Sequence, residues 1–145
     1  MARSVYLPRP DDFHLHLRQG ECLTAYARRE ALSFGRALVM PNTVPPIASA
    51  AAIAAYRLAI LSALAPQGPS GATPGFEPLM TFKLLPGMSR ETVLECAAAG
   101  AVAGKYYPAG ATTNSADGLA DPAQASEALA AMDDRGIAKR IGLPQ

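Results

Sequence analysis

The sequence lacks the features that mark several large classes of protein function. Its 13 basic and 12 acidic residues give a net charge of +1 and are scattered, so no basic patch is available for nucleic acid or an anionic membrane. The N-terminus has no continuous apolar segment typical of a secretion signal. No uncharged run free of proline and glycine is long enough to span a membrane. We therefore expect a cytoplasmic protein that binds any charged ligand locally.

Cysteine is equally scarce. Cys22 and Cys96 do not form a CxxC motif, which favours two reduced, semi-buried thiols; the alternative is a disulfide between them. The chain has 145 residues, of which 50% are hydrophobic and 17% charged, as in soluble globular proteins. This length suits a single domain over residues 1–145 and is too short for two.

Histidine occurs only twice, and both residues lie in one alternating stretch. Apolar and polar residues alternate from Phe13 to Arg18, which predicts a β-strand with His14 and His16 on the same face as Arg18. Two imidazoles at this spacing can bind one metal ion, although ordinary hydrogen-bonded histidines would show the same pattern. Two ligands would leave a metal under-coordinated, so a third ligand is needed.

Four strand-then-helix units follow one another, which predicts a parallel sheet with helices packed outside it. The predicted strands are 13–18, 36–40, 78–85 and 101–107. The predicted helices are about 21–34, a second one capped by Ser49 and stopped by Pro66, about 90–99, and a fourth one capped by Asp121 and ended by Gly136. Gly35 is expected to close the first helix in a left-handed conformation. Residues 66–75 contain three prolines and three glycines and predict a surface loop. After Gly136 the alternation fails, because residues 139–145 are short, basic and interrupted by glycine and proline.

Three further polar residues lie at or just beyond predicted strands. Lys105 belongs to an otherwise apolar strand, where burial would disfavour the ammonium form and allow the amine to react with carbon dioxide. The alternative is a lysine that reaches solvent or pairs with a carboxylate. Arg18 and Asn42 follow the first two strands, where parallel α/β folds place their ligand contacts, and both could hold a carboxylate. Ordinary loop chemistry would also explain them.

Three motifs together resemble the dihydroorotases of the single-function bacterial type, within the amidohydrolase superfamily. They are Arg9–Arg18 (RPDDFHLHLR), Val39–Asn42 (VMPN) with Pro45-Pro46, and Gly104–Ser115 (GKYYPAGATTNS). They occur in the family's order, and the likeness extends as far as Ala138. The resemblance favours the interpretation in which Lys105 reacts with carbon dioxide over the one in which it reaches solvent or pairs with a carboxylate.

The resemblance implies a (β/α)8 barrel with two zinc ions at the carboxyl ends of its strands. His14 and His16 would bind the more buried zinc ion, and Lys105, as a carboxylated lysine, would bridge the two ions. Arg18 and Asn42 would hold the substrate carboxylate. The loop that closes over the substrate would contain Thr112 and Thr113. The implied reaction interconverts N-carbamoyl-L-aspartate and dihydroorotate in pyrimidine biosynthesis, and the complete enzyme would be a homodimer.

The chain departs from the family in what it omits. The remaining histidine ligands and the acid/base aspartate belong to later strands, so no catalytic residue is identifiable in these 145 residues. A barrel of this type needs about 250 residues. We therefore expect the first four β/α units of an incomplete barrel, inactive alone, whose residues 139–145 do not match the family. The alternatives are another cyclic-amide hydrolase, of the hydantoinase or allantoinase type, and a non-catalytic structural subunit.

Overall fold

The structure, a computed structural model, describes residues 4–65 and 75–141. Its five strands form one parallel sheet in chain order, curled into a half-barrel. The strands are β1 (Asp11–Leu15), β2 (Arg36–Val39), β3 (Glu77–Lys83), β4 (Ala101–Tyr106) and β5 (Ala138–Ile141). The helices are α1 (Cys22–Ser33), α2 (Ala50–Leu64), α3 (Arg90–Ala98) and α4 (Ser126–Arg135), the last preceded by a short 3₁₀ helix, Pro122–Ala125. The predicted α/β half-barrel is confirmed.

Helix boundaries follow the local chemistry of the sequence. Ser49 and Ser89 cap α2 and α3 through hydroxyls that accept hydrogen bonds from the backbone N–H three residues ahead. Asp121 and Gln124 form a reciprocal capping box at the 3₁₀ helix that leads into α4. Gly136 ends α4 at φ +64°, in the left-handed region where a glycine has no Cβ to clash.

The prediction for the end of α1 was wrong. Phe34, in an extended conformation, caps the helix, and its N–H donates to the Glu30 carbonyl. Gly35 does not have a positive φ. Its N–H instead donates to the Pro10 carbonyl at 2.9 Å, which ties the start of β2 to the chain entering β1. Pairing with a neighbouring strand therefore overrides the local preference of glycine for a helix end.

The last strand is an addition to the four predicted units. Residues 138–141 pair in parallel with β4 along four consecutive positions, from Ala103–Ala138 to Tyr106–Ile141. The alternation thus continues for one more strand beyond the point where we expected it to fail. The predicted loop at 66–75 lies outside the described residues except for Gly75.

The core lies between the sheet and the helices. It includes the α2 face predicted from its three- and four-residue spacing, and Ile53, Tyr56, Ile60 and Leu64 are all buried there. Cys96 is buried and Cys22 is exposed, and both are free thiols. In the described part of the chain, no helix has the length and hydropathy needed to cross a membrane.

Candidate functional site

The carboxyl ends of β1 to β4 meet at one edge of the sheet, and the candidate residues follow these ends. β1 ends earlier than predicted, at Leu15, so His16 and Arg18 lie just beyond it. Asn42 follows β2, and Lys105 lies near the end of β4. Parallel topology therefore gathers residues that are far apart in the sequence.

The two histidines converge. Their Nε2 atoms are 3.2 Å apart and their ring centroids 5.1 Å apart. The backbone N–H of His14 donates to the Asp12 carboxylate at 2.7 Å, which fixes the strand just before the pair. Desolvation lowers the pKa of His16, and the nearby charges of His14, Lys105 and Arg18 lower it further. Neutral pH therefore favours the uncharged imidazole, the form that binds metals.

Lys105 is buried. Its residue is 1% exposed, which excludes the alternative in which the side chain reaches solvent. Its Nζ lies 5.4 Å from the centroid of the Tyr107 ring. Lys83, the last residue of β3, is its register partner, and the Lys83 Nζ lies 5.3 Å from the same ring. Two buried lysines thus flank one tyrosine.

The segment after β4 is a compact loop of residues 108–120, held by its own hydrogen bonds. Ser115 is buried, and its hydroxyl accepts from the Thr112 N–H at 2.9 Å and donates to the Thr112 carbonyl at 2.6 Å. The Ser115 carbonyl accepts from the N–H groups of Gly110 and Gly118, both at 2.9 Å. These bonds fix the backbone that presents Thr112 and Thr113.

Asn42 joins this loop to the end of β2. Its Nδ2 donates to the Thr113 carbonyl at 2.7 Å. Its Oδ1 is buried and accepts no hydrogen bond from the described residues. Such an atom normally has a partner, so the amide is placed to take a further donor. Asn42 and Thr113, both candidate substrate contacts, are therefore in direct contact.

The donor set fits a metal in part. The His14 and His16 pair supplies two nitrogen donors of the type that zinc prefers, and Lys105 is close enough to influence the pKa of His16. Among residues 4–65 and 75–141, no group of three or more His, Cys, Asp or Glu side chains is arranged to hold a metal ion. Within this part of the chain, histidine therefore supplies two donors, and no third His, Cys, Asp or Glu side chain is grouped with them.

Sequence reasoning missed Lys83, Asp117 and Ser115. Lys83 could have been found by the argument used for Lys105, because it also interrupts an apolar strand. Asp117 and Ser115 gave no such signal, because their partners are set by loop conformation. A cavity of about 330 Å³ lies between α1, α2 and the turn at Pro45, and its lining includes none of the candidate residues.

Comparison with known proteins gives a consistent result. No protein-family model matches the chain. The curated dihydroorotase of Marinobacter nauticus is 47% identical over 137 residues, covering 94% of this chain and 38% of that protein. The dihydroorotase of Halorhodospira halophila is 49% identical over 135 residues, covering 92% and 37%. The chain is homologous to part of a dihydroorotase.

Solved dihydroorotases share the fold. The crystal structure of the Campylobacter jejuni dihydroorotase superposes with a TM-score of 0.79 at 31% identity, covering 94% of this chain and 40% of that one. The Saccharomyces cerevisiae dihydroorotase, in complex with 5-fluoroorotic acid, gives a TM-score of 0.77 at 26% identity, covering 91% and 35%. The chain thus spans less than half of the dihydroorotases it matches, consistent with an N-terminal portion.

Proposed function

We propose that the protein containing this segment is a zinc-dependent dihydroorotase, which interconverts N-carbamoyl-L-aspartate and dihydroorotate in pyrimidine biosynthesis. The observation that carries the proposal is the convergence of the His14 and His16 nitrogens, 3.2 Å apart, beside the buried Lys105. This arrangement occurs in a chain that is 47% identical to a curated dihydroorotase over 94% of its length. The cytoplasm and a homodimeric assembly are the setting we propose for the complete enzyme.

His14, His16 and Lys105 would hold the zinc. Bound zinc acts as a Lewis acid toward a carbonyl group such as that of a cyclic amide. Lys105 would serve as a carbamate: its neutral Nζ bonds to the carbon of carbon dioxide and releases one proton. The register partner of Lys105 is Lys83, whose Nζ is bound to the Asn114 carbonyl and to Asp117, so Lys105 is the buried lysine proposed to carry the carbamate.

Arg18 and Asn42 would hold the substrate carboxylate. The Arg18 guanidinium is exposed, and its charge acts on His16, which puts a cation beside the proposed zinc ligands. Asn42 contacts Thr113 of the loop, so the carboxylate site and the loop adjoin. The general acid/base of the reaction would come from outside residues 1–145, so we propose that the 145 residues alone are inactive.

Labelling with ¹³C-bicarbonate tests the role of Lys105. We expect the zinc-loaded full-length protein to show one carbamate carbon signal by NMR, and Lys105→Ala to abolish both this signal and dihydroorotate turnover. Lys83→Met is the matched control, since it removes the other buried lysine and should keep the carbamate signal. A signal that survives in Lys105→Ala, or disappears in Lys83→Met, would contradict the assignment.

Substrate comparison separates the proposal from its alternatives. A dihydroorotase should turn over dihydroorotate faster than hydantoin or allantoin, because only the first carries the carboxylate for Arg18 and Asn42. Faster hydantoin or allantoin turnover would favour the related cyclic-amide hydrolases. A full-length protein that binds no zinc and turns over none of the three would favour a structural subunit. Enzyme-like turnover by the 145-residue chain with zinc and bicarbonate would contradict its proposed inactivity.

A further inference from the structure

Lys83 is a charged residue in an unusual position. Its side chain is 1% exposed, and it ends β3, the strand at the middle of the described sheet. Burying an ammonium group is costly unless the group is paired and hydrogen-bonded. The contacts of Lys83 should therefore reveal why a lysine is tolerated there.

All the identified polar and ring contacts of the Lys83 ammonium come from one segment. Nζ donates to the Asn114 carbonyl at 2.7 Å and forms an ion pair with the Asp117 carboxylate. It also lies over the ring of Tyr107, the residue that follows β4. Lys83 thus links the end of β3 to the middle of the loop of residues 108–120 and contacts Tyr107, just before that loop.

The backbone of this loop is held at two consecutive carbonyls. Asn42, beyond β2, binds the Thr113 carbonyl, and Lys83, at the end of β3, binds the Asn114 carbonyl, each at 2.7 Å. Asn114 has φ +55°, a left-handed conformation that asparagine tolerates better than most residues. One residue beyond β2 and one at the end of β3 therefore hold the two peptide units that flank Asn114, two residues after Thr112.

We propose that Lys83 is a positioning residue for substrate binding, which holds the loop carrying Thr112 and Thr113 through Asp117 and the Asn114 carbonyl. The effect on substrate rests on the proposed function, whereas the effect on the loop does not. Asp117 is the better site to test, because its side chain is 45% exposed and lies beyond the residues proposed to bind zinc or substrate.

The test compares Asp117→Asn with Asp134→Asn in the full-length protein. Both substitutions remove a carboxylate charge from an ion pair, but Asp134 pairs with Arg90 on the helical side of the sheet. Amide hydrogen exchange is followed at Gly110, Thr112 and Gly118, whose N–H groups bond within the loop. KM and kcat for dihydroorotate and zinc content are measured in parallel.

We expect Asp117→Asn to raise exchange at these three amides and KM by about tenfold each, with a smaller change in kcat and unchanged zinc content. Asp134→Asn should leave all four quantities unchanged. Lys83→Met should reproduce the loop effect, and Lys83→Arg should restore part of it, since a guanidinium keeps the charge. Thermal melting identifies any variant that fails to fold, in which case the conclusion rests on the other substitution at this ion pair.

The outcomes separate the two proposals. Faster loop exchange in Asp117→Asn, in a protein whose unsubstituted form does not turn over dihydroorotate, would support the positioning role and reject the proposed function. Unchanged exchange and KM in an active protein would overturn the role of Lys83 and leave the proposed function intact. A loss of zinc together with the loop effect would also overturn it, because Lys83 would then act on the metal site.

Discussion

Polar side chains near β1, the outermost strand at one side of the sheet, differ in burial from those on the central strands β3 and β4. At β1, His14 and His16 are exposed and contact each other. At β3 and β4, Lys83 and Lys105 are buried, and Lys83 is paired with groups of one loop. The two histidines are thus accessible from solvent, whereas the ammonium of the buried Lys83 is bound to the backbone and a carboxylate of one loop.

The largest expected effect lies at the edge. His16→Ala should weaken zinc binding by on the order of 100-fold or more, because even supporting residues around a metal cost 10–100-fold and His16 is a proposed direct ligand. Competition with a zinc-binding dye measures the affinity. Asp11→Ala is the control, since Asp11 pairs with Arg36 at the start of the same strand. Equal zinc affinities in the two variants would show that His16 is not a zinc ligand.

A smaller effect, on the free energy of unfolding, should distinguish the two partners of the Lys83–Asp117 ion pair. Asp117→Asn leaves a buried ammonium without its counter-charge, whereas Lys83→Met leaves a carboxylate that is already 45% exposed and can be hydrated. We therefore expect Asp117→Asn to lower the free energy of unfolding by about 1–3 kcal/mol more than Lys83→Met. Urea denaturation measures both. A larger loss in Lys83→Met than in Asp117→Asn would show that Asp117 does not offset the cost of burying the Lys83 ammonium.

Much of the fold was predictable because local chemistry decides it. The caps at Ser49, Ser89 and Asp121 each satisfy backbone N–H groups next to them in sequence, so the pattern alone located the starts of α2 and α3. At Asp121 it located the start of the 3₁₀ helix, four residues before α4 begins. The fifth strand was not predictable in this way. Its sequence, Ala138–Ile141, is short and partly charged, and it becomes a strand because the edge of β4 offers hydrogen-bond partners.

The candidate site was predictable only as far as its motifs extend. His14, His16 and Asn42 were named from position and chemistry, and the structure brings Asn42 against Thr113. Which of them bind zinc or substrate stays a prediction. The link from Lys83 to Asp117 was missed, because it joins residues 34 positions apart through a loop whose shape the sequence does not reveal.

The smallest expected effect returns to the β1 edge. Burial and the adjacent Asp12 carboxylate raise the pKa of Glu30, on α1, from 4.5 to about 7. The folded protein therefore retains a proton that the unfolded chain has lost, so this group stabilises folding fully below pH 4.5 and ceases to do so as the pH rises through 7. Glu30→Gln, which cannot ionise, should raise Tm by about 2–4 °C at pH 8 and leave it unchanged at pH 4. Glu95→Gln, at an exposed position of α3, is the control and should show no such dependence on pH. A gain of equal size at both pH values would mean that packing, and not ionisation of Glu30, limits stability at this position.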